Sequence, residues 1–362
     1  YQEALIAYKE ASNKDEMNID IYKKLAETYI KLNDTNKAIS QHKIILEIKP
    51  DNLESRLYLA NLYFELKDYD NSLIHFTDIQ ATQPDKIDVL LKLGKIYVLK
   101  NNYNEARECL ESVLKRDPDN KDAKFTLATL HEKIGTLDKA VIIYRDLLNY
   151  EPKNTTFIKH LSNALCNYGI LCFKNKNYNE SINIYNEAIS YDSSNADLYY
   201  NVGKAHYAIK DFKKALSFFK KALHISPKDS EFLIAVANTL DALDNISGAL
   251  KMYNEAISVD PNNFKLRSAY GAALGSAGEI ESAIQELEKA IALNSRYDEA
   301  HYNLGVAYEA IGKIEKAIVE YKRTLDCTPN HFEAMSNLEA LSYDMDLLQK
   351  ELAAKQSKEE NI

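Results

Sequence analysis

Apolar and polar positions along this chain repeat with two nested periods. Within residues 196–229, Tyr199, Val202, Gly203 and His206 are spaced for one face of a helix, and Ala215, Phe219 and Ala222 for one face of a second. The pattern returns at a step of 34 residues along nearly the whole chain. In the units 19–52, 53–86, 87–120 and 121–154, Leu25, Leu59, Leu93 and Leu127 share one place, with Tyr29, Tyr63, Tyr97 and His131 four residues later. Those two places predict the buried stripe of each first helix. With 162–195, 196–229, 230–263, 264–297 and 298–331, there are nine complete copies.

Proline marks the same period. Pro50, Pro84, Pro118 and Pro152 stand 34 residues apart, and Pro227, Pro261 and Pro329 occupy the same place in later units. A missing N–H and a fixed φ there stop the second helix and aim the chain into the next unit. Pro152 and Pro227 are 75 residues apart, two steps plus seven, which isolates residues 155–161 as a helical insertion. Phe157, Leu161, Leu165, Tyr168 and Cys172 run one stripe through it, so a first helix lengthened at its start is expected, capped by Asn154 or Thr155.

Ala4, Tyr8 and Ala11 match Ala215, Phe219 and Ala222, so residues 1–18 read as the second helix of a truncated repeat in a longer protein. Residues 332–362 read as capping helices and a frayed tail: Met335 and Leu338 still fit the pattern, whereas Glu351 replaces a small residue. A polar last helix would close the apolar end of such a stack. Gly94, Gly169, Gly203, Gly271 and Gly305 share a place, and Ala106, Ala215, Ala283 and Ala317 another, where the two helices of a unit must cross closely. Gly135, Gly278 and Gly312 stand just past a first helix, a position suited to left-handed backbone.

Composition narrows the function. A chain of 362 residues exceeds the reach of one compact core, but a repeat array escapes that limit because each unit packs only on its neighbours. A net charge of −9 disfavours nucleic acid. Cys109, Cys166, Cys172 and Cys327 form no C-x-x-C pair, which fits a reducing, cytoplasmic setting, and no apolar run is long enough for membrane insertion. His42, His131, His206 and His301 occupy packing positions and read as core residues. No catalytic motif, metal-ligand cluster or cofactor loop is present, so no enzyme activity, metal or cofactor is expected.

The 34-residue unit with Leu304-Gly305, Tyr308, Ala317, Tyr321 and Pro329 resembles the tetratricopeptide repeat. The resemblance implies an all-α fold, an α-α superhelical solenoid of antiparallel helix pairs. It also implies that positions two, five, six, nine and twelve of each unit face a concave groove. Asn167, Asn201, Asn303 and Asn337 stand at position six and Asn238 at position nine, an amide row able to hold an extended peptide backbone. Tyr200, Lys204, Tyr207 and Tyr302 stand on the same face and complete the candidate peptide-binding set. Position-five and position-nine residues nowhere read Lys then Asn, which disfavours a chaperone carboxylate clamp.

The expected function is a non-catalytic scaffold that binds an extended segment of a partner protein within a multiprotein assembly. The alternative is the substrate-recruiting arm of a larger enzyme resembling the O-linked N-acetylglucosamine transferases, with its catalytic domain outside this chain. Lys210, Lys213, Lys214, Lys220 and Lys221 form a basic cluster expected on a solvated outer face.

Overall fold

The structure, a computed structural model, describes residues 1–342. The expected closing helix around Glu351 and the tail therefore lie outside the described residues. Helix α1 (Gln2–Lys14) precedes the pairs α2 (Ile19–Lys31) and α3 (Thr35–Ile48), α4 (Leu53–Glu65) and α5 (Tyr69–Thr82), α6 (Ile87–Leu99) and α7 (Tyr103–Arg116), and α8 (Lys121–Ile134) and α9 (Leu137–Tyr150). Then come α10 (Thr155–Lys174) and α11 (Tyr178–Tyr191), α12 (Ala196–Ala208) and α13 (Phe212–Ile225), and α14 (Ser230–Asp241) and α15 (Ile246–Val259). The last pairs are α16 (Phe264–Ser276) and α17 (Ile280–Leu293), and α18 (Asp298–Ala310) and α19 (Ile314–Cys327), after which residues 332–342 are again helical. Among the described residues there is no strand, and the fold is an all-α array of antiparallel helix pairs.

Local chemistry sets these boundaries. The side chains of Asn18, Asn52, Asn120, Asn195, Asp229 and Asn263 cap first helices, and those of Asp34, Asp68, Asp211 and Asn245 cap second helices. Each cap satisfies a backbone N–H that the helix cannot. The stripe residues Leu59 and Leu93 are fully buried, and Tyr29, Tyr63 and His131 are buried. Burial of each leucine contributes about 1.5–3 kcal/mol.

Every first helix ends on one residue in left-handed backbone. Gly135, Gly278 and Gly312 have φ of 83°, 82° and 72°, and the same place in the other six units holds Asn33, Lys67, Asn101, Lys176, Lys210 and Asp244, with φ between 58° and 63°. A lysine there carries a Cβ penalty that glycine does not. Lys210→Gly is therefore expected to stabilise the protein by about 0.5–1 kcal/mol, net of the extra entropy that glycine loses on folding. The same change within a helix, Lys220→Gly, should destabilise by about 1 kcal/mol. Urea midpoints of the two variants should move in opposite directions.

At three of the close crossings the glycine faces an aromatic ring of the second helix. A Cβ built on Gly203 would lie 2.6 Å from the Phe219 ring, one on Gly169 would meet Tyr185, and one on Gly305 would meet Tyr321. These rings stand four positions after Ala215, Ser181 and Ala317 of the second helices. At Gly94 and Gly271 the added atom would meet Leu110 and Leu287, with the carbonyls of Ala106 and Ala283 at 3.7 Å and 3.2 Å. Those alanines are themselves fully buried.

Contacts divide the chain into two compact units, Tyr1–Ala164 and the residues from Leu165 onward, and the boundary falls inside α10. That helix has 20 residues against 13 for most first helices, and Asn154 Oδ1 caps it by accepting from the N–H groups of Thr156 at 3.0 Å and Phe157 at 3.2 Å. Second helices pack on the next first helix, α3 on α4, α5 on α6 and α7 on α8 in one unit, and α11 on α12, α13 on α14, α15 on α16 and α17 on α18 in the other. First helices also touch one another, α6 on α8 and α16 on α18, so they share one face.

Candidate functional site

In the second unit the shared first-helix face opens into a cavity of about 570 Å³. Tyr200, Lys204 and Tyr207 of α12 form one wall, and Glu231, Ile234 and Asn238 of α14 the other. Phe173, near the end of α10, closes one side, and Phe219 of α13 lies beneath. The wall residues stand at positions two, five, nine and twelve of their units, because a helix turns these residue numbers onto one stripe.

The aromatic side chains are held by one another. The Tyr200 ring lies 5.6 Å from Phe219 and 4.9 Å from Phe232, and Tyr207 meets Phe212 edge-on at 5.0 Å. Burial raises the Tyr200 hydroxyl above the usual tyrosine range, so it remains protonated. The Lys204 ammonium lies 5.7 Å from the centre of the Phe173 ring and 5.3 Å from that of Tyr200, within cation–π reach of both. The cavity thus offers apolar walls, one cation and one carboxylate.

Of the nine residues that the resemblance to tetratricopeptide repeats singles out, Tyr200, Lys204, Tyr207 and Asn238 line this cavity. Asn167 is exposed on α10, and Asn201, Tyr302, Asn303 and Asn337 are half-buried elsewhere. Two of the amides already have internal partners. Asn238 Oδ1 accepts the Tyr253 hydroxyl at 2.6 Å, and Asn337 Nδ2 donates to the Tyr321 hydroxyl at 3.1 Å. Tyr302 packs on the His331 ring at 4.8 Å. The amides therefore do not line one cavity as a continuous row. Glu231, absent from the set, stands at position two, and applying the groove positions unit by unit would have included it.

The first unit carries related positions in a closed form. Lys23 pairs with Glu54, and Lys95 Nζ lies 2.9 Å from Asp122 Oδ2. Tyr58 stacks on His42 at 4.0 Å, and the Lys92 ammonium covers the Phe64 ring at 4.2 Å.

The four signature histidines serve packing. His42, His131, His206 and His301 are all buried. Burial lowers the first three, His42 to about 4, whereas a hydrogen bond to Glu320 raises His301. Burial pushes the Cys109 thiol up to about 11, far from a reactive thiolate. Among the described residues, no three His, Cys, Asp or Glu side chains are grouped to hold a metal, and no helix is long and apolar enough to cross a membrane. The basic cluster Lys210, Lys213, Lys214, Lys220 and Lys221 is exposed, with Lys214 paired to Asp211 at 3.1 Å.

Comparison with known proteins identifies the repeat. Models described as TPR repeat match residues 169–210 and 271–312, and models described as tetratricopeptide repeat match 68–120, 97–159, 196–229 and 298–331. Together they span more than half of the chain. No curated protein matches significantly. Among solved structures, the C-terminal part of a TPR repeat-containing protein from Cytophaga hutchinsonii aligns at 18% identity and a TM-score of 0.53, over 68% of this chain and 99% of that one. YrrB, described as a TPR protein with an unusual peptide-binding site, aligns at 21% identity and a TM-score of 0.45, over 53% of this chain and 96% of its own. The first TPR of Spaghetti (RPAP3), solved with the HSP90 peptide SRMEEVD, aligns at 27% identity and a TM-score of 0.32, over 32% of this chain and 93% of its own. With nine helix-pair units among the described residues and family matches distributed along them, this chain belongs to the tetratricopeptide repeat family.

Proposed function

We propose that this chain is a protein-interaction scaffold, without catalysis of its own, that holds a short segment of a partner protein on the first-helix face of its second unit. The cavity between α12 and α14 carries the reading: it is apolar at its walls, polar at its rim, and of the size that one or two large side chains fill. Family membership supports the same conclusion, since stacked helix pairs create a face with room for an extended chain.

The test uses a random dodecapeptide phage library selected on the purified chain. Enriched peptides should lose at least tenfold in affinity for Ile234→Glu, which puts a charge into the apolar wall, while the circular dichroism spectrum stays unchanged. Asn201→Ala and Asn303→Ala, whose side chains are outside the cavity, should bind within about twofold of the unaltered chain, as expected for residues that touch no ligand. Peptides that bind Ile234→Glu normally would place the interaction elsewhere on the protein.

A further inference from the structure

The two units treat one pair of positions differently. A lysine at position nine and an acid at position two of the next unit occur twice: Lys95 with Asp122, and Lys204 with Glu231. Each pair is 27 residues apart. In the first unit the pair is closed at 2.9 Å. In the second, no ion pair joins Lys204 and Glu231 among the described residues. The Lys204 ammonium lies instead over the Phe173 and Tyr200 rings, and both charged residues line the cavity.

We propose that Lys204 and Glu231 read charge on the bound segment: its apolar side chain fills the cavity, a neighbouring Asp or Glu meets Lys204, and a Lys or Arg on the other side of the anchor meets Glu231. This rests on the groove reading above and adds the chemistry of the occupant. A carboxylate arriving at Lys204 finds an ammonium with no protein carboxylate to displace, and the aromatic rings behind it reduce the water that competes for it. A cation beside Glu231 meets the one carboxylate on the cavity wall. An all-acidic segment would set a like charge against Glu231, and an all-basic one against Lys204. The pocket thus rejects by sign as well as by fit.

The experiment repeats the dodecapeptide selection on the unaltered chain and on Lys204→Glu, Glu231→Lys and Ile234→Glu. On the unaltered chain, enriched peptides should carry Phe, Tyr, Leu, Ile or Met with an acid within about two residues on one side and a base on the other, the reach of neighbouring side chains on an extended segment. Selection on Lys204→Glu should replace the acid by Lys or Arg. In fluorescence anisotropy, Lys204→Glu should weaken an enriched acid-bearing peptide at least tenfold, and its Asp→Asn or Glu→Gln counterpart less than twofold.

If the same peptides emerge from the unaltered chain and from both charge variants, yet fail on Ile234→Glu, the groove reading stands and charge reading by Lys204 and Glu231 is wrong. If peptides bind Ile234→Glu as well as the unaltered chain, the groove reading itself fails. A concentration-dependent increase in mass by light scattering, abolished by Ile234→Glu, would make a second copy of this chain the occupant and overturn the proposal.

Discussion

Glu320→Ala should destabilise the protein by about 1–3 kcal/mol, the cost of leaving a buried ring nitrogen without its partner once the His301 charge is shed. His301 Nδ1 lies 2.6 Å from Glu320 Oε2, and His301 Nε2 lies 3.1 Å from the Ser295 carbonyl. Both ring nitrogens face acceptors, so the ring is held with two protons as an imidazolium. His301 and Glu320 are only 3% and 6% exposed, which removes most of the screening that makes surface pairs weak. Arg323 donates to the other carboxylate oxygen of Glu320 at 2.7 Å.

The pair also sets a pH dependence. The hydrogen bond to Glu320 raises the His301 pKa, against the opposing effect of burial and of the Arg323 charge. Its contribution is therefore complete below the ordinary histidine value near 6.5 and is lost as pH rises through the raised value. His42 has the opposite sign. Burial lowers it to about 4, so its contribution is present above about 6.5 and is lost as pH falls toward that lower value. Urea midpoints at pH 5, 7 and 9 should show both losses, and His301→Gln should remove the alkaline one alone. An alkaline loss that persists unchanged in His301→Gln would assign it to another group.

Leu304→Ala should cost about 2–5 kcal/mol, and Ala215→Leu about 1–3 kcal/mol, for opposite physical reasons. Leu304 is 3% exposed within the cluster that includes Leu274, Leu287, Tyr308 and Tyr321, and its loss leaves a void that packed helices cannot fully close. Ala215 is fully buried where α13 crosses its neighbours, with Phe219 and Leu233 in the same cluster, and a larger side chain there has no space. Lys214, exposed on the same helix, should tolerate Ala within about 0.5 kcal/mol. Equal denaturant midpoints for all three variants would contradict the register on which the fold description rests.

The helix pairs and their register were legible in the sequence because their causes are local. A turn of helix spans 3.6 residues, so Leu93 and Tyr97 declare their stripe without reference to any other part of the chain. Caps such as Asn120 and Asp211 act within three residues, and the prolines stop helices by their own covalent geometry. The left-handed stops were only partly legible. Gly135, Gly278 and Gly312 announce themselves, whereas Lys67, Lys176 and Lys210 adopt the same backbone because the packed helices on either side impose it.

The candidate site was legible as a face and not as a cavity. The resemblance to tetratricopeptide repeats implied one face for Tyr200, Lys204, Tyr207 and Asn238, but their partners come from other helices: Phe173 from α10, Phe219 from α13 and Glu231 from α14. The resemblance likewise implied a groove role for Asn337, whereas packing gives its amide to Tyr321. The two lysine–acid pairs make the division plain. Lys95–Asp122 and Lys204–Glu231 have the same spacing and the same charge types, yet one is closed and the other open. Position five of the unit is Leu91 beside Lys95 and Tyr200 beside Lys204, and only the folded arrangement places the Tyr200 and Phe173 rings under the second ammonium. Secondary structure follows from neighbours a few residues away, whereas the partner of a charged side chain is decided by side chains brought in from adjoining units.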